Sequence, residues 1–229
     1  MNGNGQTREL VPTIMTKSVE EYKARWGAYY PFASRVQIDV AEAGFAAEPS
    51  LPLQDILNAG GWPTDRQVDL HIMSANPSMY TQTIIQRRPH LAIFHVEVGQ
   101  DLTNDLQQIR AAGIKVGIAF LKPTYPKDYE ALLNEVDHAL IFNGNQQDLG
   151  KHNLSADSHL LLLEKAGLIR SINPAIEIGW DGGVNLENIH QIAISGVNVL
   201  NVGGAISGAQ DPRAAFEELN AEMNRPEVI

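Results

Sequence analysis

The sequence predicts a single-domain α/β chain closed into a (β/α)8 barrel of the TIM class, and three observations carry that expectation. About eight strand-like apolar runs alternate with about eight helix-like segments, the pattern of a parallel barrel. Two glycine pairs, Gly182-Gly183 and Gly203-Gly204, follow the last two runs, where barrels of this class hold phosphate. The runner-up, a doubly wound open sheet, wants a glycine-rich loop after its first strand, and none follows Met15. With 229 residues and 44% hydrophobic content the chain can bury one substantial core, and no low-complexity tract or linker divides it.

The elements follow in order. Residues 1–9 are polar and read as a flexible leader, with the barrel domain over residues 10–229. Leu10 to Met15 is the first strand, its proline near the start where a missing N–H is tolerated. Ser18 caps a helix with Glu20 and Glu21 in its first turn. Arg35 to Val40 alternates, so Gln37 and Asp39 share the face opposite Val36, Ile38 and Val40 and point into the barrel. A proline-containing loop leads to a helix at Leu53 to Ala59. Val68 to Met73 repeats the alternation and groups Asp69, His71 and Met73.

Asn76-Pro77-Ser78 opens the next helix, and Leu91 to Glu97 is the fourth strand. Asp101 to Ala112 reads as a helix closed by Gly113, and Lys115 to Phe120 as the fifth strand. Lys122 belongs to a turn, before a helix over Asp128 to Val136 and a sixth strand, His138 to Asn143. The polar segment 143–153 is longer than a βα loop needs and reads as a lid. Ser158 caps a helix running to Ile172. Ile176 and Ile178 belong to the seventh strand, which delivers Asp181, and Asn185 caps a helix over Leu186 to Ser195. Val199 to Val202 is the eighth strand, followed by a helix at Asp211 to Met223.

Composition narrows the functions open to the chain. No cysteine is present, which excludes disulfides, thiolate metal sites and cysteine nucleophiles. The net charge of -10 repels polyanions and disfavours nucleic acid as a partner, while leaving a single phosphate free to bind backbone N–H groups. No run reaches membrane-spanning length, so a membrane is not an expected partner either, and the cytoplasm is the simplest location.

Strand C-terminal ends of a barrel converge on one pocket, which gathers Asp39, His71, Asp181 and glycines 182, 183, 203 and 204. Two acids facing one carbon can remove a proton from one side and return one to the other, the requirement of an epimerase acting beside a carbonyl. The enediolate formed on the way carries negative charge, which a divalent metal stabilises. Asp39, His71 and Asp181 are a mixed oxygen and nitrogen set suited to zinc, iron or manganese. The paired glycines would hold the phosphate of a small ligand. His95 and Glu97 share the parity of His71 and read as groups that position it. The bland alternatives are helix-capping acids, a hydrogen-bonded core histidine and tight turns.

The motifs Val11-Pro12-Thr13-Ile14, Gln37-Ile38-Asp39-Val40, Asp69-Leu70-His71-Ile72-Met73, Phe94-His95-Val96-Glu97, Asp181-Gly182-Gly183-Val184-Asn185 and Gly203-Gly204-Ala205-Ile206 stand in the order of a known family. On them the chain resembles ribulose-phosphate 3-epimerase. The resemblance implies a barrel that interconverts D-ribulose 5-phosphate and D-xylulose 5-phosphate, with Asp39 and Asp181 as the acid/base pair and His71 as metal ligand. It also implies Thr13 and His71 in substrate binding, Gln37 at a fourth metal position, and a homo-oligomer.

The chain departs from the family pattern in four places. Gln37 stands where the family has a histidine ligand, and Thr13 where it has serine. Ala41-Glu42-Ala43-Gly44 replaces a Met-Asp-Gly run, and residues 143–153 replace a glycine-rich loop. An epimerase with an altered metal site, an enzyme of another sugar phosphate and a non-catalytic sugar-phosphate-binding barrel all remain open on these residues.

Overall fold

The computed structural model describes residues 7–151 and 159–226. Residues 1–6 of the expected leader, residues 152 and 153 of the expected lid and the Ser158 cap lie outside the described residues. Eight parallel strands close a barrel in chain order. They are β1 (Glu9–Ile14), β2 (Arg35–Ala41), β3 (Gln67–Met73), β4 (Leu91–His95), β5 (Lys115–Phe120), β6 (His138–Phe142), β7 (Glu177–Asp181) and β8 (Val199–Val202). Between and after them come α1 (Val19–Tyr29), α2 (Leu53–Asn58), α3 (Thr81–Arg87), α4 (Thr103–Ala111), α5 (Glu130–Leu133), α6 (His159–Ile172), α7 (Ile189–Ile194), α8 (Gly204–Ser207) and α9 (Pro212–Met223).

Register decides what faces inward, because paired residues on neighbouring parallel strands share a face. Asp39 pairs with His71, Thr13 with Gln37, and Asp181 with Asn201. The opposite faces carry Ile38, Leu70, Phe94, Ile118, Ile141 and Trp180 into the layer between barrel and helices. Inside the barrel the apolar filling is small, Leu91, Ile93, Ala119 and Leu140. Polar side chains take up much of the remaining interior.

At the N-terminal end of the strands those side chains form one ionic network. Arg35 donates to Asp69 at 2.7 Å, to Glu177 at 2.8 Å and to Glu9 at 3.0 Å, and the His138 ring lies 2.8 Å from Glu177. His138 fits because its neighbours lack side chains: a Cβ on Gly179 would lie 2.5 Å from its ring and one on Gly117 3.1 Å from its Cβ. This end of the barrel is where stabilising rather than catalytic groups collect.

Several expected boundaries move. The fourth strand stops at His95 instead of Glu97, because Val96–Val98 turns into a 3₁₀ helix that ends at Gly99 with φ of 71°. The helix expected at Asp128 to Val136 contracts to α5, since Pro126 starts a 3₁₀ turn that occupies Pro126–Tyr129. Asn185 does not cap α7. Its side chain accepts from Glu187 N, and Asn188 accepts from Asn185 N, so the two asparagines build a turn and the helix starts at Ile189. Glu9, placed in the expected leader, belongs to β1, and the helix expected from Asp101 starts at Thr103, whose N–H donates to Asp101. Ser18 caps α1 as expected, its hydroxyl accepting from Glu21 N at 3.2 Å.

Candidate active site

At the C-terminal mouth of the barrel a cavity of about 340 Å³ is lined by Thr13, Asp39, Asp181, Gly182, Gly183, Gly203 and Gly204, all singled out from sequence. Met15, Met73 and Phe142 add apolar wall, Asn185 adds a polar group, and Arg25 and Asn201 add two more that the sequence pattern did not single out. Thr13 is held tightly against the glycines, for a Cβ on Gly203 would sit 2.9 Å from its hydroxyl oxygen. Gly182 and Gly183, with φ of 102° and 70°, adopt a conformation that L side chains rarely take. The polar turn that follows needs both.

Beneath the cavity the two acids meet. Gln37 Nε2 donates to Asp39 Oδ1 and to Asp181 Oδ2, each at 2.8 Å, and so bridges the non-neighbouring strands β2 and β7. His71 Nδ1 lies 3.0 Å from Asp39 Oδ1 and 3.6 Å from Asp181 Oδ2. Gln37 and His71 are fully buried behind the acids rather than on the cavity wall. Burial, and then the adjacent Asp39 charge, push the Asp181 carboxyl up to about 7. Near neutral pH the Asp181 carboxyl can therefore both give and take a proton.

A hydrogen-bonded chain behind His71 fixes which of its nitrogens faces the acids. Burial favours a neutral Glu97, but its bonds from His95 and from Leu121 N, at 3.1 and 2.8 Å, outweigh that and hold the carboxyl below its ordinary range. Ionised Glu97 accepts, so His95 Nδ1 carries hydrogen. Burial lowers His95 to about 4 and keeps it neutral, leaving its Nε2 as acceptor for His71 Nε2 at 2.9 Å. With its Nε2 hydrogen directed at His95, Nδ1 is the His71 nitrogen that faces Asp39 and Asp181.

That donor set fits a cation. Among the described residues, Asp39, His71 and Asp181 bring ligand atoms within 4.8 Å of one another. A tetrahedral ion with bonds of about 2.1 Å spaces its ligands about 3.4 Å apart, close to the separations from His71. Gln37 presents Nε2, which has no lone pair to offer, while its Oε1 is buried without a partner. Turning the amide over would exchange the two.

The departures from the family pattern have local structure of their own. Glu42 accepts from Ser74 and Tyr80 and so ties the loop after β2 to the one after β3. Residues 143–151 are anchored: Asn145 and Asp148 form a reciprocal cap, Gln146 donates to Phe45 O at 3.0 Å, and Leu149 is fully buried. Gly150 abuts the Glu48 carbonyl, which would lie 1.8 Å from any Cβ there. Lys122 sits in its turn, where Lys165 Nζ donates to the carbonyls of Leu121, Lys122 and Thr124. No helix among the described residues is long and apolar enough to cross a membrane.

Comparison with known proteins supports the resemblance. The chain is similar to ribulose-phosphate 3-epimerase of Mycobacterium tuberculosis (strain ATCC 25618 / H37Rv), 28% identical over 83% of this chain and 82% of the relative. It is similar to that of Helicobacter pylori (strain J99 / ATCC 700824), 30% identical over 66% of this chain and 70% of the relative. A crystal structure of 3-hexulose-6-phosphate synthase shares the fold, with TM-score 0.70 and 18% identity over 94% of this chain and 99% of that one. So does KGPDC from Streptococcus mutans, with TM-score 0.72 and 10% identity over 96% and 99%. The model of the ribulose-phosphate 3 epimerase family matches residues 33–207, and the chain belongs to that family.

Proposed function

We propose that the protein is a pentose-phosphate 3-epimerase that interconverts D-ribulose 5-phosphate and D-xylulose 5-phosphate. One observation carries the reading. The carboxylates of Asp39 and Asp181, delivered by β2 and β7, converge to within 4.8 Å under a cavity walled on one side by both glycine pairs. The N–H groups around Gly182, Gly183, Gly203 and Gly204 would receive the phosphate, and Thr13 would add a hydroxyl beside it. Anchoring the phosphate fixes how far the sugar carbons reach toward the acids.

One acid takes the C3 proton while the other returns one to the opposite face, and the roles exchange in the reverse direction. Gln37, donating to both carboxylates, holds them apart and oriented. A divalent cation held by Asp39, His71 and Asp181 would supply positive charge beside the oxygens that become negative in the enediolate. Glu97 and His95 keep His71 Nδ1 facing that position. Met15, Met73 and Phe142 exclude water from the reacting carbon.

A second reading, a sugar-phosphate-binding barrel without turnover, is favoured by Gln37, whose amide N–H groups already satisfy both acids. A coupled assay on D-ribulose 5-phosphate with metal content measured on the same sample separates the two. Turnover supports the epimerase. Thermal stabilisation by the sugar phosphate without turnover supports the binder, and turnover confined to another sugar phosphate would replace the assigned substrate.

A further inference from the structure

Asn201, in the middle of β8, is 2% exposed and lines the cavity, yet neither its amide nitrogen nor its amide oxygen has a hydrogen-bond partner. Buried polar atoms are rarely left so. An apolar side chain at this place would remove the cost of desolvating them, so the amide calls for a partner that the folded chain alone does not supply. Gln37 is not equivalent, because its nitrogen is committed to Asp39 and Asp181.

Position says which partner. Asn201 is in register with Asp181, and Gly203 follows two residues later, one strand repeat or roughly 6.6 Å nearer the mouth. A ligand reaching from the acids to the Gly203-Gly204 cradle must pass over Asn201. A carboxamide offers one donor group and one acceptor, the pair that reads a hydroxyl. In a pentulose 5-phosphate only C4 lies between the reacting C3 and the phosphate-bearing C5, and C4 bears a hydroxyl. We infer that Asn201 binds the C4 hydroxyl and sets specificity for it, an inference that rests on the epimerase reading above.

The test compares kcat/KM for D-ribulose 5-phosphate and its 4-deoxy analogue in the full chain and in Asn201→Val and Asn201→Ala. The unmodified protein is expected to prefer the hydroxylated sugar by about tenfold or more. In both variants the preference falls toward unity, through loss on the hydroxylated sugar alone, while the Asn201→Val melting temperature stays level or rises. An undiminished preference in either folded variant, or equal losses on both sugars, overturns the inference and leaves the epimerase reading standing. Failure of both variants to fold makes Asn201 a structural residue and overturns it too. Absence of turnover in the unmodified protein sinks the epimerase reading and this inference with it.

Discussion

His95 Nε2 stands 2.9 Å from His71 Nε2, two buried imidazoles sharing one hydrogen. This contact passes the anchoring of Glu97 on to the ring nitrogen that faces Asp39. His95→Leu would leave the His71 N–H buried without an acceptor, at a cost of about 1–3 kcal/mol in chemical unfolding. It would also free the His71 ring to turn. The metal retained per chain after dialysis is expected to fall, with affinity down about 10–100-fold. Unchanged retention would mean that His95 does not orient His71.

Gln37 sets a second expectation. An amide presenting nitrogen to two carboxylates competes with a cation for the same oxygens, whereas an imidazole adds a ligand that transition metals favour. Gln37→His should therefore raise zinc affinity by about tenfold or more, read by competition with a chromophoric chelator. Equal or weaker binding would show that the amide is already turned to offer its oxygen.

Asp181 gives the protein a pH signature. Its folded pKa, raised to about 7 by burial and by Asp39, exceeds the ordinary carboxyl value of about 3.9 in the unfolded chain. The folded state binds the proton more tightly, so this group's contribution to stability is full below about pH 4 and is lost as pH rises through about 7. In chelator-treated protein, the melting temperature should drop a few degrees more across that window in the unmodified chain than in Asp181→Asn. Parallel profiles would contradict the raised value.

At the other end of the barrel, Arg35 is 2% exposed and holds Asp69, 1% exposed, at 2.7 Å. Burial raises the Asp69 carboxyl to about 6 even with this partner beside it. Arg35→Met leaves that carboxyl without its cation and should cost about 3–5 kcal/mol in urea unfolding. Adding Asp69→Leu should recover much of the loss, and a failure to recover any would place the cost on Glu177 and Glu9 instead.

Much of the site was legible because a barrel turns strand parity into geography. Asp39 and Asp181 are 142 positions apart in the sequence, yet alternation on β2 and the glycines after β7 place both at one mouth. The Arg35 network was not legible, since its members stand at or near the starts of five strands and only closure brings them together. Asn201 carried a readable signal, a polar residue inside an apolar strand on the parity of Asp181, but that its amide goes unpaired shows only once the barrel closes around it. Asn185 misled because its side chain satisfies a turn as well as it could a helix end.

The central claim is that Asp39 and Asp181 exchange protons at one carbon. The direct measurement is solvent deuterium incorporation at C3 of D-ribulose 5-phosphate, followed by proton NMR for the unmodified protein, Asp39→Asn and Asp181→Asn. The account predicts incorporation by the unmodified protein and its loss, by about a hundredfold or more, in either folded variant. Incorporation at an undiminished rate in both variants would contradict it.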